Sequence, residues 1–179
     1  MGARTNSFFP VVFLTLIVFI SVAALTLTDA ITKEKIQLAK EAEIARMLTT
    51  LFPKMDGFTY DEQNDLYIPL AEQQPLGRAF MAEQSGYSGA ISILVGLEPD
   101  TTLRGIRIIF QQETPGLGAK IVESFFLQQF SGLAVDDIEL REKGGKIDAI
   151  TSATISSSAV VEGVREAILD KLNQLGRET

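Results

Sequence analysis

The sequence predicts an α+β protein, in which one N-terminal transmembrane helix precedes a twisted, largely antiparallel sheet with helices packed against it. Three observations carry this prediction. Residues 8–27 are uncharged and almost wholly apolar. Short segments rich in β-branched and aromatic residues, separated by turn residues, fill the middle of the chain. An amphipathic helical pattern follows near the C-terminus.

The apolar stretch is long enough to cross a bilayer as a helix, because about 20 helical residues match the ~30 Å hydrocarbon core. Arg4 is the only charged side chain before Asp29, so the acidic balance of the chain, −7 overall, lies in the remainder. A cleaved signal peptide is the alternative, since small residues occupy 22–24, but its apolar region usually has about 7–15 residues. We predict residues 1–28 as a retained anchor.

A second helical pattern follows the anchor. Apolar residues recur three and four positions apart as far as Leu51, and Pro53 ends the pattern. We predict residues 29–55 as a connecting helix and residues 56–179 as the folded domain.

Strands are predicted in the first half of that domain. Residues 66–68 and 78–81 have the composition of short strands. Residues 90–97 and 103–110 are predicted as longer strands, joined by a turn at 98–101 into a hairpin.

Helices dominate the predictions for the second half of the domain. Residues 119–130 are predicted as a helix with five apolar side chains facing inward, and residues 156–175 as a final amphipathic helix. Between them, residues 147–150 are predicted as a last short strand. The five inward side chains are Ile121, Val122, Phe125, Phe126 and Phe130.

Composition removes many functions. The chain has no cysteine and no histidine, which excludes disulfides, thiolate zinc sites, protein-ligated iron–sulfur clusters and cysteine or histidine nucleophiles. Redox chemistry would therefore need an organic cofactor. The acidic balance makes nucleic acid an unexpected partner, and no Gly-x-Ser-x-Gly motif supports a hydrolase.

Hydroxyl side chains cluster at the predicted start of the last helix, at Thr151, Ser152 and Thr154 and again over 156–158. The first N–H groups of a helix have no internal acceptor, and the helix dipole favours negative charge there, so this position suits a phosphate. Serine and threonine also crowd helix starts simply as caps. From the residues alone, both explanations stand.

A glycine-rich loop is predicted at residues 113–118, directly after a strand. Pro115 fixes its own φ, while Gly116 and Gly118 permit positive φ and a close approach of the backbone to a ligand. The same residues also suit a plain connector between a strand and a helix. A ligand loop and a connector both remain open.

The run from Asp148 to Thr154 closely resembles the Asp-x-x-Ser/Thr-Gly-Ala-Thr motif of proteins that carry FMN covalently on the last threonine. Further matches lie along most of the chain, and the chain as a whole resembles the G subunit of the Rnf-type ion-translocating ferredoxin:NAD oxidoreductase. That protein is related to the C subunit of the sodium-pumping NADH:quinone reductase. The further matches are at 87–91, 94–96, 105–106, 113–118, 130–132 and 147–157.

The resemblance implies an FMN-binding domain and a role for each site residue. FMN would be attached to Thr154, and a flavin transferase would recognise Asp148, Thr151, Ser152 and Ala153. The remaining implied contacts are Ser156 and Ser157 to the phosphate, Glu113 and Thr114 to the ribityl chain or ring edge, and Leu117, beside Gly118, over a ring face. Lys120 and Lys146 are candidate cations near the flavin or plain surface lysines.

The resemblance also implies partners and a location. The protein would be an electron carrier, without a freely diffusing substrate, working with membrane and iron–sulfur subunits of the same complex. It would sit in the cell membrane of a bacterium or archaeon with its domain outside the cytoplasm. Two alternatives remain: a stand-alone anchored flavoprotein of another electron chain, and a non-redox anchored scaffold.

Two positions depart from the pattern. Ser152 stands where the motif usually has glycine, and serine resists the left-handed backbone that glycine tolerates. Gln111 stands where the family often has histidine, so proton transfer by that side chain is not essential in this protein.

Overall fold

The computed structural model describes residues 8–176, with side chains at 11–22 and 42–176. A single helix, α1, spans Phe8–Leu51, where the sequence analysis predicted a new helix after the anchor. The helix continues because no glycine or proline interrupts the chain between Pro10 and Pro53. Residues 1–7 of the predicted anchor, and the side chains of residues 23–28, lie outside the described residues. The domain boundaries at 28 and 55 stay predictions.

Internal contacts divide the chain into two units, one ending at Ile44 and the other beginning at Ala45. In the first unit, the side chains of residues 11–22 are exposed. Among the residues that the structure describes, no helix is both long enough and apolar enough to cross a membrane. The predicted transmembrane helix is therefore not confirmed.

An antiparallel sheet forms the centre of the second unit. Its described strands are β1 (Gly57–Asp61), β2 (Leu66–Ala71), β3 (Gln74–Pro75), β4 (Arg78–Ser85), β5 (Ala90–Leu97) and β6 (Leu103–Phe110). The order is β1-β2-β4-β5-β6, with β3 paired to β2, and every pairing is antiparallel. This confirms the predicted sheet type and its four predicted strands, whereas β1 and β3 were missed.

The end of α1 is fixed to this sheet by Arg104 on β6. Its Nε donates to the Leu51 carbonyl oxygen at 2.5 Å, and its guanidinium carbon lies 4.7 Å from the centre of the Phe52 ring. A cation at a helix C-terminus also stabilises the helix dipole. Leu48 and Phe52 are fully buried, so the last turn of α1 belongs to the core of the second unit.

The single helix predicted over residues 119–130 is wrong. Glu123 adopts an extended conformation (φ −76°, ψ 145°) and divides the segment. The pieces are a 3₁₀ turn at Gly118–Val122, the short helix α2 at Ser124–Leu127 and a 3₁₀ turn at Gln128–Phe130. Because the break rotates the chain, Val122 and Phe125 are exposed, while Ile121, Phe126 and Phe130 are buried as predicted.

The strand predicted at 147–150 is also wrong, since Ile147 makes only an isolated bridge to Leu140 in the described chain. The final helix, α3 (Thr154–Leu175), confirms the predicted helix and packs against β4 and β5. Val160, Val164 and Ile168 are buried in the shared core. This packing places the start of α3 close to the loops that follow β4 and β6.

We expect Gly77→Ala, just before β4, to lower the free energy of unfolding by roughly 1–3 kcal/mol. A Cβ there would collide with the Leu97 carbonyl oxygen and would lie 3.0 Å from Phe52. Gly57→Ala is the control, because nothing lies within 4 Å of its Cβ position. Urea unfolding measures both variants, and equal midpoints would contradict this packing argument.

Candidate functional site

A cleft of about 400 Å³ opens where three segments of the domain meet. One is the β4–β5 connection, the second is the loop after β6, and the third is the start of α3. The lining residues are Tyr87, Glu113, Thr114, Leu117, Gly118, Ser152, Ala153, Thr154, Ile155 and Ser156. The glycine-rich loop and the hydroxyl cluster, which lie far apart in sequence, thus form one site.

The structure brings most of the predicted site residues into this cleft but leaves three of them out of its lining. Those in the lining are Glu113, Thr114, Leu117, Gly118, Ser152, Ala153, Thr154 and Ser156. Thr151 and Asp148 are exposed and lie outside it, and Ser157 is fully buried behind it. The Ser157 hydroxyl lies in the interior, where it bonds Ile150 and Ala153, and its phosphate contact stays a prediction.

The start of α3 does not use the hydroxyl cluster as a cap. Ala153 is the N-cap residue, and within the described part of the chain no side chain makes a capping hydrogen bond to this helix. The first N–H groups of the helix consequently lack a side-chain acceptor and remain available to an anion. This geometry weighs against the explanation of the cluster as a simple helix cap.

Thr154 is the first residue of α3 and lies at the edge of the cleft. Its side chain is exposed. Within the described part of the chain, its hydroxyl takes part in no hydrogen bond. A free hydroxyl beside unpaired N–H groups is a suitable acceptor for a phosphoryl group.

Ser152 adopts the left-handed conformation that glycine favours, with φ at 70°. This is the position where the motif usually has glycine. A left-handed backbone costs an L-residue other than glycine roughly 1–2 kcal/mol. The turn before α3 therefore retains the geometry suited to glycine and carries the strain.

The Glu113 carboxylate connects the three segments of the cleft. Its Oε1 accepts the Ser88 N–H at 3.0 Å, and its Oε2 accepts the Ser156 hydroxyl at 2.5 Å. Only 5% of the residue is exposed. Both carboxylate oxygens are thus committed within the protein, so Glu113 shapes the cleft wall by holding it together.

Two glycines lie against this carboxylate. A Cβ on Gly86 would collide with Glu113 Oε1, and one on Gly118 would lie within 2.6 Å of the Ser156 hydroxyl. Gly116 instead supplies a left-handed turn, with φ at 77°. The two loop glycines predicted from sequence thus have separate roles, a turn for Gly116 and close packing for Gly118.

Apolar side chains surround the opening of the cleft. Tyr87, Ile155 and Leu117 are 69%, 60% and 48% exposed. Leu117 was predicted from the sequence as a ring contact, whereas Tyr87 and Ile155 were not predicted as site residues. The sequence did contain a signal for Tyr87 and Ile155, because both lie within the runs that match the family.

Apart from Glu113, no charged side chain is among the residues that line the described cleft. Arg141 forms a two-pronged ion pair with Asp148, at 2.6 and 3.2 Å, and this guanidinium lowers the pKa of that carboxyl below its ordinary range. Lys146 pairs with Asp137 at 2.7 Å. Neither Lys120 nor Lys146 is among the residues that line the described cleft, and a role for either as a cation near the flavin stays a prediction.

We expect Ser152→Gly to raise the free energy of unfolding by up to about 1 kcal/mol, because glycine adopts positive φ without a Cβ penalty. Ser152→Val should lower it by about 1–3 kcal/mol, since a β-branched residue fits this backbone worst. Thr151→Gly, at the neighbouring position with ordinary φ, should be destabilising. Chemical denaturation measures the order of stability of these variants. A Ser152→Val variant as stable as the wild type would contradict backbone strain at this position.

We expect Glu113→Ala to lower the free energy of unfolding by roughly 2–4 kcal/mol, since it leaves two donors without their charged acceptor. Glu113→Gln keeps one acceptor oxygen and should fall between alanine and the wild type. Glu123→Ala, at an exposed glutamate, should change stability by less than about 0.5 kcal/mol. Thermal unfolding compares the three variants, and similar losses at both glutamates would contradict the bridging role.

Residues 86–169, which contain the whole cleft, match the family model of the FMN-binding domain. Over its length the chain is similar to the G subunit of the ion-translocating oxidoreductase complex of Methanosarcina acetivorans, with 33% identity over 88% of this chain and 91% of the relative. The G subunit of the same kind of complex from Aliivibrio fischeri is 30% identical over 87% and 85% of the two chains.

Two solved structures share the fold. The NqrC of Shewanella oneidensis superposes with a TM-score of 0.52 at 15% identity, over 69% of this chain and 72% of that one. The C subunit of the Na⁺-translocating NADH-quinone reductase of Parabacteroides distasonis gives 0.50 at 22% identity, over 62% and 61%. The antiparallel FMN-binding fold is thus confirmed, and the level of identity to the two G subunits shows that this chain belongs to the family of G subunits of ion-translocating oxidoreductase complexes.

Proposed function

We propose that this protein is an electron-carrying subunit of a membrane-bound, ion-translocating oxidoreductase complex, and that it carries FMN as a phosphoester on Thr154. The observation that carries the proposal is the position of Thr154. Its exposed hydroxyl, free of hydrogen bonds within the described chain, stands at the first residue of α3 and at the edge of the cleft. The FMN-binding domain match and the names of the relatives support the cofactor and the complex.

Attachment would be catalysed by a separate flavin transferase that uses FAD. The Thr154 Oγ–phosphorus bond forms while the pyrophosphate bond of FAD breaks, so FMN stays on the protein and AMP leaves. The hydroxyl proton passes to a base of the transferase or to water. No oxidation or reduction accompanies this transfer, and the chain itself needs to supply only the hydroxyl.

The residues of the cleft fit such a group. Its volume, about 400 Å³, lies within the range of roughly 300–1,000 Å³ typical of small-ligand sites. Free N–H groups at the start of α3 would hold phosphate oxygens, and the exposed side chains of Tyr87, Leu117 and Ile155 would lie against the ring system. When bound, FMN supplies electron transfer, which no side chain of this histidine- and cysteine-free chain provides.

The names of the relatives support a proposal about the environment of the carrier. We propose that membrane and iron–sulfur subunits of the same complex exchange electrons with it, in the cell membrane of a bacterium or archaeon. We also propose that α1 anchors the chain and that the domain lies outside the cytoplasm. The exposed apolar side chains of residues 11–22 support the anchor, because such side chains gain free energy in lipid.

We expect the protein isolated from its native membrane to exceed its sequence mass by one FMN less one water, and to fluoresce on a denaturing gel. Thr154→Ala should lack both signals, because it removes the proposed acceptor hydroxyl. Intact-mass spectrometry measures the increment, and peptide mapping locates it.

Thr59→Ala is the matched control, since it removes an exposed threonine hydroxyl on β1, outside the lining of the cleft. It should retain FMN. An unmodified mass for the wild-type protein would contradict the covalent proposal. Covalent FMN in Thr154→Ala would show that the acceptor is another residue.

A further inference from the structure

The turn that presents Thr154 is held from outside by Gln129, which lies in the 3₁₀ turn after α2. The Gln129 amide nitrogen donates to the Asp148 carbonyl oxygen at 3.2 Å, and its amide oxygen accepts the Asp148 N–H at 2.7 Å. One side chain therefore satisfies both backbone groups of Asp148, in the way that a neighbouring strand would. This pairing replaces the strand that the sequence predicted here and the structure lacks.

The other end of the turn is held from behind by Ser157, one turn into α3. Its hydroxyl accepts the Ile150 N–H at 3.0 Å and donates to the Ala153 carbonyl oxygen at 3.0 Å. Ser157 is fully buried, and Ile150 and Ala153 are 5% and 6% exposed. The turn therefore packs two side chains inward around one buried hydroxyl.

Between these two attachments lies the strained residue. Ser152 holds its left-handed conformation, with φ at 70°, although the conformation is unfavourable for serine. The hydrogen bonds of Gln129 and Ser157 oppose relaxation of this turn, together with the backbone bond from the Ala153 N–H to the Ile150 carbonyl oxygen at 2.9 Å. Their combined effect is to fix the chain on both sides of the one residue that favours another conformation.

We infer that Gln129 and Ser157 are positioning residues that hold the 148–153 turn in one conformation, so that the Thr154 hydroxyl is pre-organised for flavin attachment. This inference rests on the proposed function. In the step concerned, the Thr154 Oγ–phosphorus bond forms, the pyrophosphate bond of FAD breaks, AMP leaves and the hydroxyl proton goes to the transferase or to water. Pre-organisation speeds such a transfer because the acceptor need not be ordered during the reaction.

Gln129 gives the cleaner test of the two, because it is only half-buried and its partner Asp148 is exposed. Water can therefore replace the lost hydrogen bonds, and Gln129→Ala should leave global stability nearly unchanged. Gln128→Ala is the matched control, since it makes the same change at the adjacent, exposed glutamine.

The experiment incubates the full-length, flavin-free chain in detergent with purified flavin transferase and FAD, and follows the intact mass with time. Gln129→Ala should acquire FMN about ten-fold more slowly than the wild type, and Gln128→Ala at the wild-type rate. Hydrogen exchange on the flavin-free proteins should show faster exchange of the Asp148 amide in Gln129→Ala alone. An unchanged rate of attachment in Gln129→Ala would overturn the inference for this residue.

Ser157 is tested with a pair of nearly isosteric variants, Ser157→Thr and Ser157→Val. Both enlarge the buried side chain, but only threonine keeps the hydroxyl. FMN attachment should be about ten-fold faster in Ser157→Thr than in Ser157→Val. The Ile150 amide should be protected from hydrogen exchange only in Ser157→Thr. Equal rates in the two variants would overturn the role of Ser157. A wild-type chain that never acquires FMN would instead refute the proposed function, whatever the exchange data show.

Discussion

The candidate site depends on one buried carboxylate. Glu113 receives hydrogen bonds from the β4–β5 connection and from α3, while it belongs to the loop after β6. These three segments share no strand pairing with one another at the cleft, so the sheet alone does not fix their spacing. A carboxylate with two occupied oxygens can hold them together because charged acceptors form the stronger hydrogen bonds. The absence of a Cβ at Gly86 and Gly118 is what lets it fit.

The strands and the last helix followed from the sequence because their patterns are local. Residues 90–97 and 103–110 alternate or cluster apolar side chains between clear turns, and the structure pairs them as predicted. The 119–130 segment has an equally good helical pattern, yet Glu123 is extended. Only long-range packing decides between one helix and a short helix flanked by two 3₁₀ turns, and a single sequence does not record that packing.

The sequence predicted which residues form the site better than it predicted the contacts of each side chain. The two loops were identified by their glycines, hydroxyls and resemblance to a family, and the fold brings them together in one cleft. The roles of individual side chains were harder to foresee, because they depend on partners far apart in sequence. Ser157 was expected to contact phosphate, but its hydroxyl turns inward to Ile150 and Ala153. Gln129 carried no sequence signal, since an isolated glutamine near a helix end is unremarkable.

The electrostatics of the cleft bear on why attachment would be covalent. Among the described lining residues there is no lysine or arginine, and Glu113 contributes a carboxylate. A phosphate would therefore depend for its affinity on the N–H groups and dipole of α3, an interaction worth typically about 0.3–1 kcal/mol near the surface and up to about 2 kcal/mol in partly buried sites. Such a term alone retains a diffusible flavin poorly. A phosphoester on Thr154, as proposed, would make retention independent of affinity and would leave the apolar edge of the cleft exposed for electron transfer.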